Sequence, residues 1–229
     1  MPVPVIEKPS PNQGPRRNDA RPDMIVLHYT AMESAEAALQ RLCDPQAEVS
    51  AHYLICETGQ VVALVPEAQR AWHAGAGAWG DVSDVNSRSI GIELANTSCH
   101  PFPEPQIVAL ADLMRGIVQR WTIRPERVIG HSDMAPLRKT DPGRRFDWRR
   151  LALEGLSIWP EAGRAPGVFL HDAQAFGYVS SNDVDEAAIL EAFRQRFRPW
   201  AKGPLSEEDC ALMADLAARF PVDRHLQTA

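Results

Sequence analysis

Apolar residues follow two rhythms along this chain. Short runs at Met24–His28, Tyr53–Cys56, Val61–Val65, Ser89–Leu94 and Val128–Gly130 predict strands. Glu57-Thr58-Gly59-Gln60, between the second and third runs, reads as a hairpin turn. Helical spacing is clearest over Pro105–Trp121, where Ile107, Leu110, Met114, Ile117 and Val118 share a face. Ser34–Leu42 is a second helix with Ser34 as its N-cap, and Trp148–Leu156 a third. Strands and helices alternate without a strict βαβ order. The pattern therefore predicts an α/β (α+β) fold with a mixed central sheet flanked by helices. In such open sheets, sites form at strand ends and on the loops that follow.

The ends of the chain read differently. Residues 1–22 are rich in Pro, Asn and Arg and predict an extended arm, on the surface or partly disordered. Residues 23–160 form the main domain. A Gly- and Pro-containing linker over 161–168 leads to a small three-helix domain over 169–229. Its helices are predicted at Phe169–Phe176, Val184–Phe197 and Ser206–Phe220. Ser206 caps the last, and Glu207, Glu208 and Asp209 suit the dipole of its first turn. So small a bundle would be marginal alone and is expected to rest on the main domain.

Composition narrows the function. The chain has 229 residues, 45% of them hydrophobic, and a formal charge of −6. That acidity argues against binding a phosphate backbone. The pairs Arg144-Arg145 and Arg149-Arg150 read as solvated surface. No apolar run is long enough to span a bilayer, and the first residues show neither a secretory h-region nor a lipobox cysteine. Cys43, Cys56, Cys99 and Cys210 form no CxxC pair and read as reduced thiols. Together these predict a cytoplasmic protein, with a periplasmic one as the alternative.

Taken singly, the polar residues at strand ends are ambiguous. His28 after Ile25-Val26-Leu27 could be a hydrogen-bonded structural histidine, and Asp141 before Pro142-Gly143 a turn residue. Five stretches in order change that: Val26-Leu27-His28-Tyr29-Thr30, Val49-Ser50-Ala51-His52-Tyr53-Leu54-Ile55, Ala71-Trp72-His73-Ala74-Gly75, Ser89-Ile90-Gly91-Ile92-Glu93-Leu94, and Gly130-His131-Ser132-Asp133-Met134-Ala135-Pro136 continuing through Arg138-Lys139-Thr140-Asp141-Pro142-Gly143. With them, residues 22–155 resemble the zinc-dependent N-acetylmuramoyl-L-alanine amidases of the AmpD/AmiD type, the amidase-2 family. Phe176-Gly177-Tyr178 and Ala192-Phe193-Arg194-Gln195-Arg196-Phe197-Arg198-Pro199 resemble, less specifically, the peptidoglycan-binding bundle that follows the catalytic domain in AmiD-like enzymes.

The resemblance implies a Zn²⁺ cofactor held by His28, His131 and Asp141, although the two histidines lie 103 residues apart. Three protein ligands leave a tetrahedral position open for water. Glu93 is implied as the general base and Lys139 as the group that stabilises the oxyanion. His52 is expected to support the metal ligands. Tyr29, Trp72, His73, Trp79 and Asn86 are expected to contact substrate. Gly75, Gly77 and Gly80 suggest a mobile active-site loop, and His100, His171 and His225 receive no role. The implied reaction is hydrolysis of the amide joining N-acetylmuramic acid to L-alanine. In a cytosol the substrate would be soluble 1,6-anhydromuropeptides from peptidoglycan recycling, met by a monomeric enzyme. An envelope amidase acting on intact or shed murein is the alternative in the same chemistry. A non-catalytic peptidoglycan receptor is the rival from another class.

Overall fold

The computed structural model describes residues 5–181 and 183–222. The first four residues of the predicted arm, the last seven of the predicted bundle and His225 lie outside them. The arm is more structured than its composition suggests. It carries two three-residue strands, β1 (Val5–Glu7) and β2 (Gln13–Pro15). It also sinks Ser10, Asn12 and Arg16 into the protein. Strands so short, with exposed side chains in β1, show no periodicity to read.

The interior strand β3 (Met24–Tyr29) is buried almost throughout, as a run of Met, Ile, Val and Leu demands. Helix α1 (Ala35–Cys43) starts where Ser34 Oγ accepts the Ala37 N–H at 3.1 Å. Strands β4 (Tyr53–Ile55) and β5 (Val61–Ala63) form the expected hairpin. Gly59 holds φ +85° in its turn, and a Cβ there would meet the Pro105 carbonyl oxygen at 2.6 Å. Strand β6 (Gln69–Ala71) pairs with β2 of the arm. The short α2 (Val85–Arg88) runs into β7 (Ser89–Leu94), and α3 (Glu104–Trp121) is the long amphipathic helix. Strand β8 (Val128–Gly130) passes directly into the one-turn α4 (His131–Met134), and α5 (Trp148–Leu153) follows. The C-terminal helices are α6 (Phe169–Phe176), α7 (Glu186–Phe197) and α8 (Glu207–Arg219).

Six strands make one sheet in the order β1-β5-β4-β7-β3-β8, parallel except at the β4–β5 hairpin. Alternate side chains of a strand face opposite sides, and here the two sides have different work. Ile25, Leu27, Ile90, Ile92 and Leu94 pack under α3 and α5. Met24 and Val26 face the other way, toward Trp79 and the aromatic side chains of the C-terminal helices. Leu54 and Val62 meet Ala38 and Leu42 of α1.

The C-terminal helices share a core with the main domain. Trp79 lies edge-on to Phe176 and Tyr178, with ring centroids 5.3 and 5.1 Å away. The polar centre of this junction is Asp133 of α4. Its Oδ2 accepts from the Gly130 N–H and from Arg196 of α7, both at 2.8 Å, and its Oδ1 accepts from the Tyr178 hydroxyl at 2.6 Å. Arg196 also donates to the Val128 carbonyl at 2.8 Å and stacks over Trp148, 4.4 Å from the ring centroid. Asp133 and Arg196 are both sealed from solvent. On α8, Ser206 and Asp209 close a capping box that binds Arg194 and Arg198 of the α7 end.

Candidate active site

The topology brings distant residues to one strand end. His28 lies near the end of β3, and its register partner on β7 is Glu93. His131 opens α4 at the end of β8, which pairs with β3 on its other side. Asp141 is drawn in from its loop by the Ser132 N–H, which donates to its carbonyl at 2.9 Å. Three side-chain atoms converge: His28 Nδ1 and His131 Nδ1 are 2.9 Å apart, and Asp141 Oδ2 lies 2.9 and 3.0 Å from them. All three residues are buried.

The outer nitrogens decide what these atoms offer. The Ser89 hydroxyl is 2.6 Å from the Val85 carbonyl, which accepts its only proton. Ser89 Oγ must therefore accept from His73 Nε2–H, 3.2 Å away. His73 Nδ1 is then a lone pair and accepts from His28 Nε2–H at 3.0 Å. His131 Nε2–H donates to the Ala74 carbonyl at 2.8 Å. Burial, reinforced by His131, pushes the His28 imidazole down to about 4, so it is neutral at physiological pH. The His28 lone pair, the inner nitrogen of His131 and a carboxylate oxygen thus face one point. Two imidazoles and a carboxylate are a donor set that suits a borderline-soft divalent ion. Among the described residues these three could hold a metal ion.

Glu93 stands beside this point. Its Oε2 is buried with no hydrogen-bond partner. Burial, helped by the Asp141 charge and opposed by Lys139, pushes its carboxyl up to about 8. Lys139 lines the same cleft of about 360 Å³, together with Tyr29, Trp72 and His73. Tyr29 is steadied by Thr140, whose hydroxyl lies 2.7 Å from its own.

Other expected residues stand elsewhere. Trp79 does not reach the cleft: it is 1% exposed and serves the junction with the C-terminal helices. Asn86 does not line the cleft either. Its Oδ1 accepts the N–H groups of His73 and Ala74 at 3.0 and 2.9 Å. His52 accepts the Gly91 N–H on Nδ1 and donates from Nε2 to the Gln69 carbonyl, so it braces the sheet, whereas His73 is the histidine that touches His28. The glycine loop is tied down, not free. Ala78 and Gly80 donate to the Met134 and Gly177 carbonyls, and Arg138 donates to the carbonyls of Ala74 and Ala76. Sequence reading missed Ser89 and Arg138. Ser89 had a signal: Ser89, Gly91 and Glu93 alternate with Ile90, Ile92 and Leu94, which marks one face of β7 as free of large apolar side chains.

Residues 18–144 match the N-acetylmuramoyl-L-alanine amidase family, Amidase_2. The chain belongs to that family. Across 234 residues the amidase is 36% identical to N-acetylmuramoyl-L-alanine amidase AmiD of Escherichia coli, spanning 87% of this chain and 84% of the relative. It is also 36% identical over 159 residues to the E. coli 1,6-anhydro-N-acetylmuramyl-L-alanine amidase AmpD, spanning 62% of this chain and 87% of AmpD. The structure of E. coli AmiD with anhydro-N-acetylmuramic acid-L-Ala-D-gamma-Glu-L-Lys superposes with a TM-score of 0.80 at 33% identity, covering 93% of both chains. AmpDh3 of Pseudomonas aeruginosa also gives 0.80, at 31% identity, covering 87% of this chain and 92% of its own. The amidase thus hydrolyses the bond between N-acetylmuramic acid and L-alanine. No helix among its described residues is long and apolar enough to cross a membrane.

Proposed function

We propose that the amidase is zinc-dependent and releases the stem peptide from muropeptides carrying 1,6-anhydro-N-acetylmuramic acid. The observation that carries this reading is the convergence of two imidazole nitrogens and a carboxylate oxygen beside an unpartnered carboxyl and a lysine. His28, His131 and Asp141 would hold the ion. When bound, zinc supplies Lewis acidity, which acidifies water and polarises the scissile carbonyl.

The chain's own groups do the rest. Glu93 takes a proton from the attacking water as the new C–O bond forms, and returns it to the alanine nitrogen as the C–N bond breaks. Its elevated proton affinity suits the second transfer, and a cation in the adjacent site favours its ionised form for the first. Lys139 offers its ammonium to the oxyanion that develops on the carbonyl oxygen. Tyr29, Trp72 and His73 form the walls that orient the muramoyl and peptide parts.

The anhydro specificity is supported by the two relatives: AmpD bears that substrate in its name, and AmiD was captured with it. Four cysteines without a disulfide support a reducing compartment, hence the cytosol and recycling of soluble fragments, with the enzyme acting as a monomer. The C-terminal helices favour a second reading. They are part of the region shared with AmiD over 93% of both chains, while the AmpD structure covers 65% of this one, which makes an envelope enzyme acting on murein the competitor. Val179, Ser181 and Val184, in the segment joining α6 to α7, wall an apolar cleft that shares Arg138 with the catalytic one.

The test is mass spectrometry of products from anhydromuropeptide and from intact sacculi, offered in parallel with and without chelator. Chelator-sensitive peptide release from the soluble substrate alone supports recycling. Comparable release from sacculi moves the enzyme to the envelope, and no release from either overturns catalysis in favour of a receptor. Asp141→Ala should lose zinc and activity together.

A further inference from the structure

One polar circuit behind the cleft touches both histidines and is used by no catalytic step. It begins at the Val85 carbonyl, passes through Ser89 Oγ and the His73 ring, and ends on His28 Nε2. The next residue after His73 supplies the Ala74 carbonyl that holds His131 Nε2. A single dipeptide, His73-Ala74, therefore orients both rings whose inner nitrogens converge. Asn86 fixes that dipeptide by accepting its two consecutive N–H groups on one oxygen. Gly91 makes the room: a Cβ there would lie 2.4 Å from His73 Cγ, so the ring sits where any other residue of β7 would place its side chain.

We propose that Ser89 and Asn86, acting through His73-Ala74, are positioning residues that set the tautomer and aim of both histidines and thereby the metal affinity. The reasoning turns on the direction of the chain of protons. With Ser89 committed to Val85, His73 has one place to send its proton, and His28 is left with Nδ1 bare. Without the hydroxyl, His73 is free to carry its proton on Nδ1 and donate it to His28 Nε2. His28 then holds its own proton on Nδ1, facing Asp141, where a metal must displace it. Groups outside the ligand set that fix an imidazole in this way are generally worth 10–100-fold in metal affinity.

The proposal rests on the zinc reading. Zinc titration against a competing chelator, run on the wild type, Asp141→Ala, Ser89→Ala, Ser89→Thr and Asn86→Ala, keeps the two apart. Wild type that binds no more tightly than Asp141→Ala would overturn the zinc reading itself. Given tight wild-type binding, Ser89→Ala and Asn86→Ala should each bind roughly 10–100-fold more weakly, and Ser89→Thr, which keeps the hydroxyl, should return toward wild type. A readout independent of metal and activity is the ¹⁵N spectrum of the His28 ring in the metal-free protein. It should show protonation at Nε2 in the wild type and a mixture of tautomers in Ser89→Ala. A folded Ser89→Ala protein with wild-type zinc affinity and an unchanged His28 tautomer overturns the circuit; Asn86→Ala decides by affinity if Ser89→Ala does not fold.

Discussion

Replacing Arg196 by Met tests whether the C-terminal helices are a structural part of the amidase or an appended module. Methionine keeps much of the apolar stem that lies over Trp148, but removes the donors to Asp133 Oδ2 and the Val128 carbonyl. Asp133 keeps the Gly130 N–H and the Tyr178 hydroxyl as partners, yet loses its counter-charge in a site sealed from solvent. Removing one member of such a buried pair typically costs ~3–5 kcal/mol, because the other is left charged and desolvated. Against a total stability of about 5–15 kcal/mol this is a large fraction. With an unfolding slope of about 3 kcal/mol/M, the urea midpoint should fall by roughly 1–2 M. The assay is urea unfolding followed by tryptophan fluorescence and circular dichroism together. Both probes should move as one transition, since Trp79 and Trp148 report from opposite sides of the junction. Asp133→Asn added to Arg196→Met removes the orphaned charge, so the double variant should be more stable than Arg196→Met alone. A loss below 1 kcal/mol, a double variant no better than the single, or two separated transitions would refute the reasoning.

Three further outcomes are expected. Glu93→Gln should keep its zinc but lose about 10²–10⁴-fold in kcat, read by peptide release under saturating substrate; full activity would remove Glu93 as the base. Lys139→Ala should also keep zinc and lose about 10²–10³-fold, mainly in kcat; a change confined to KM would make it a binding group instead. His52 supplies a pH dependence of stability: burial, with the Arg16 guanidinium 3.2 Å from its Nε2, pushes its imidazole down to about 3. The unfolded chain takes up that proton near pH 6.5 and the native protein does not, so His52 stabilises the fold above about 6.5 and loses about 1.4 kcal/mol per pH unit as the pH falls toward the folded value. Urea midpoints between pH 7 and pH 5 should decline less steeply in His52→Gln, and identical slopes would refute the assignment.

Much of this was legible in the sequence wherever one periodicity ran long enough. The buried strand before His28, the amphipathic α3 and the Ser34 and Ser206 caps stand at their expected places because local chemistry decides them. The mixed sheet followed from the mixture of runs, and the family from five ordered stretches. What stayed hidden was decided by partners far along the chain. Trp79 looked available to a ligand because nothing near it announces Phe176 and Tyr178. Asn86 looked like an amide that contacts substrate, yet its oxygen answers two N–H groups 12 and 13 residues earlier. His52 and His73 are equally plain histidines in sequence; the space left by Gly91 and the hydroxyl of Ser89 distinguish them only once β7 is paired. The arm's strands were invisible because three residues carry no rhythm.

The arm bears on how this amidase can be divided. Arg16 reaches under the site and donates to the carbonyls of Asn86, Ser87 and Ser89 from one nitrogen and to that of Glu67 from others. The stretch matching the family begins two residues later and ends at residue 144. A fragment cut at those borders would contain every residue assigned to chemistry, yet it would lack Arg16 at one end and Arg196 at the other. The backbone of α2 and the start of β7, which carry Asn86 and Ser89, would lose the cation that gathers their carbonyls. The minimal unit that recombination or expression can move intact is therefore wider than the unit that similarity outlines.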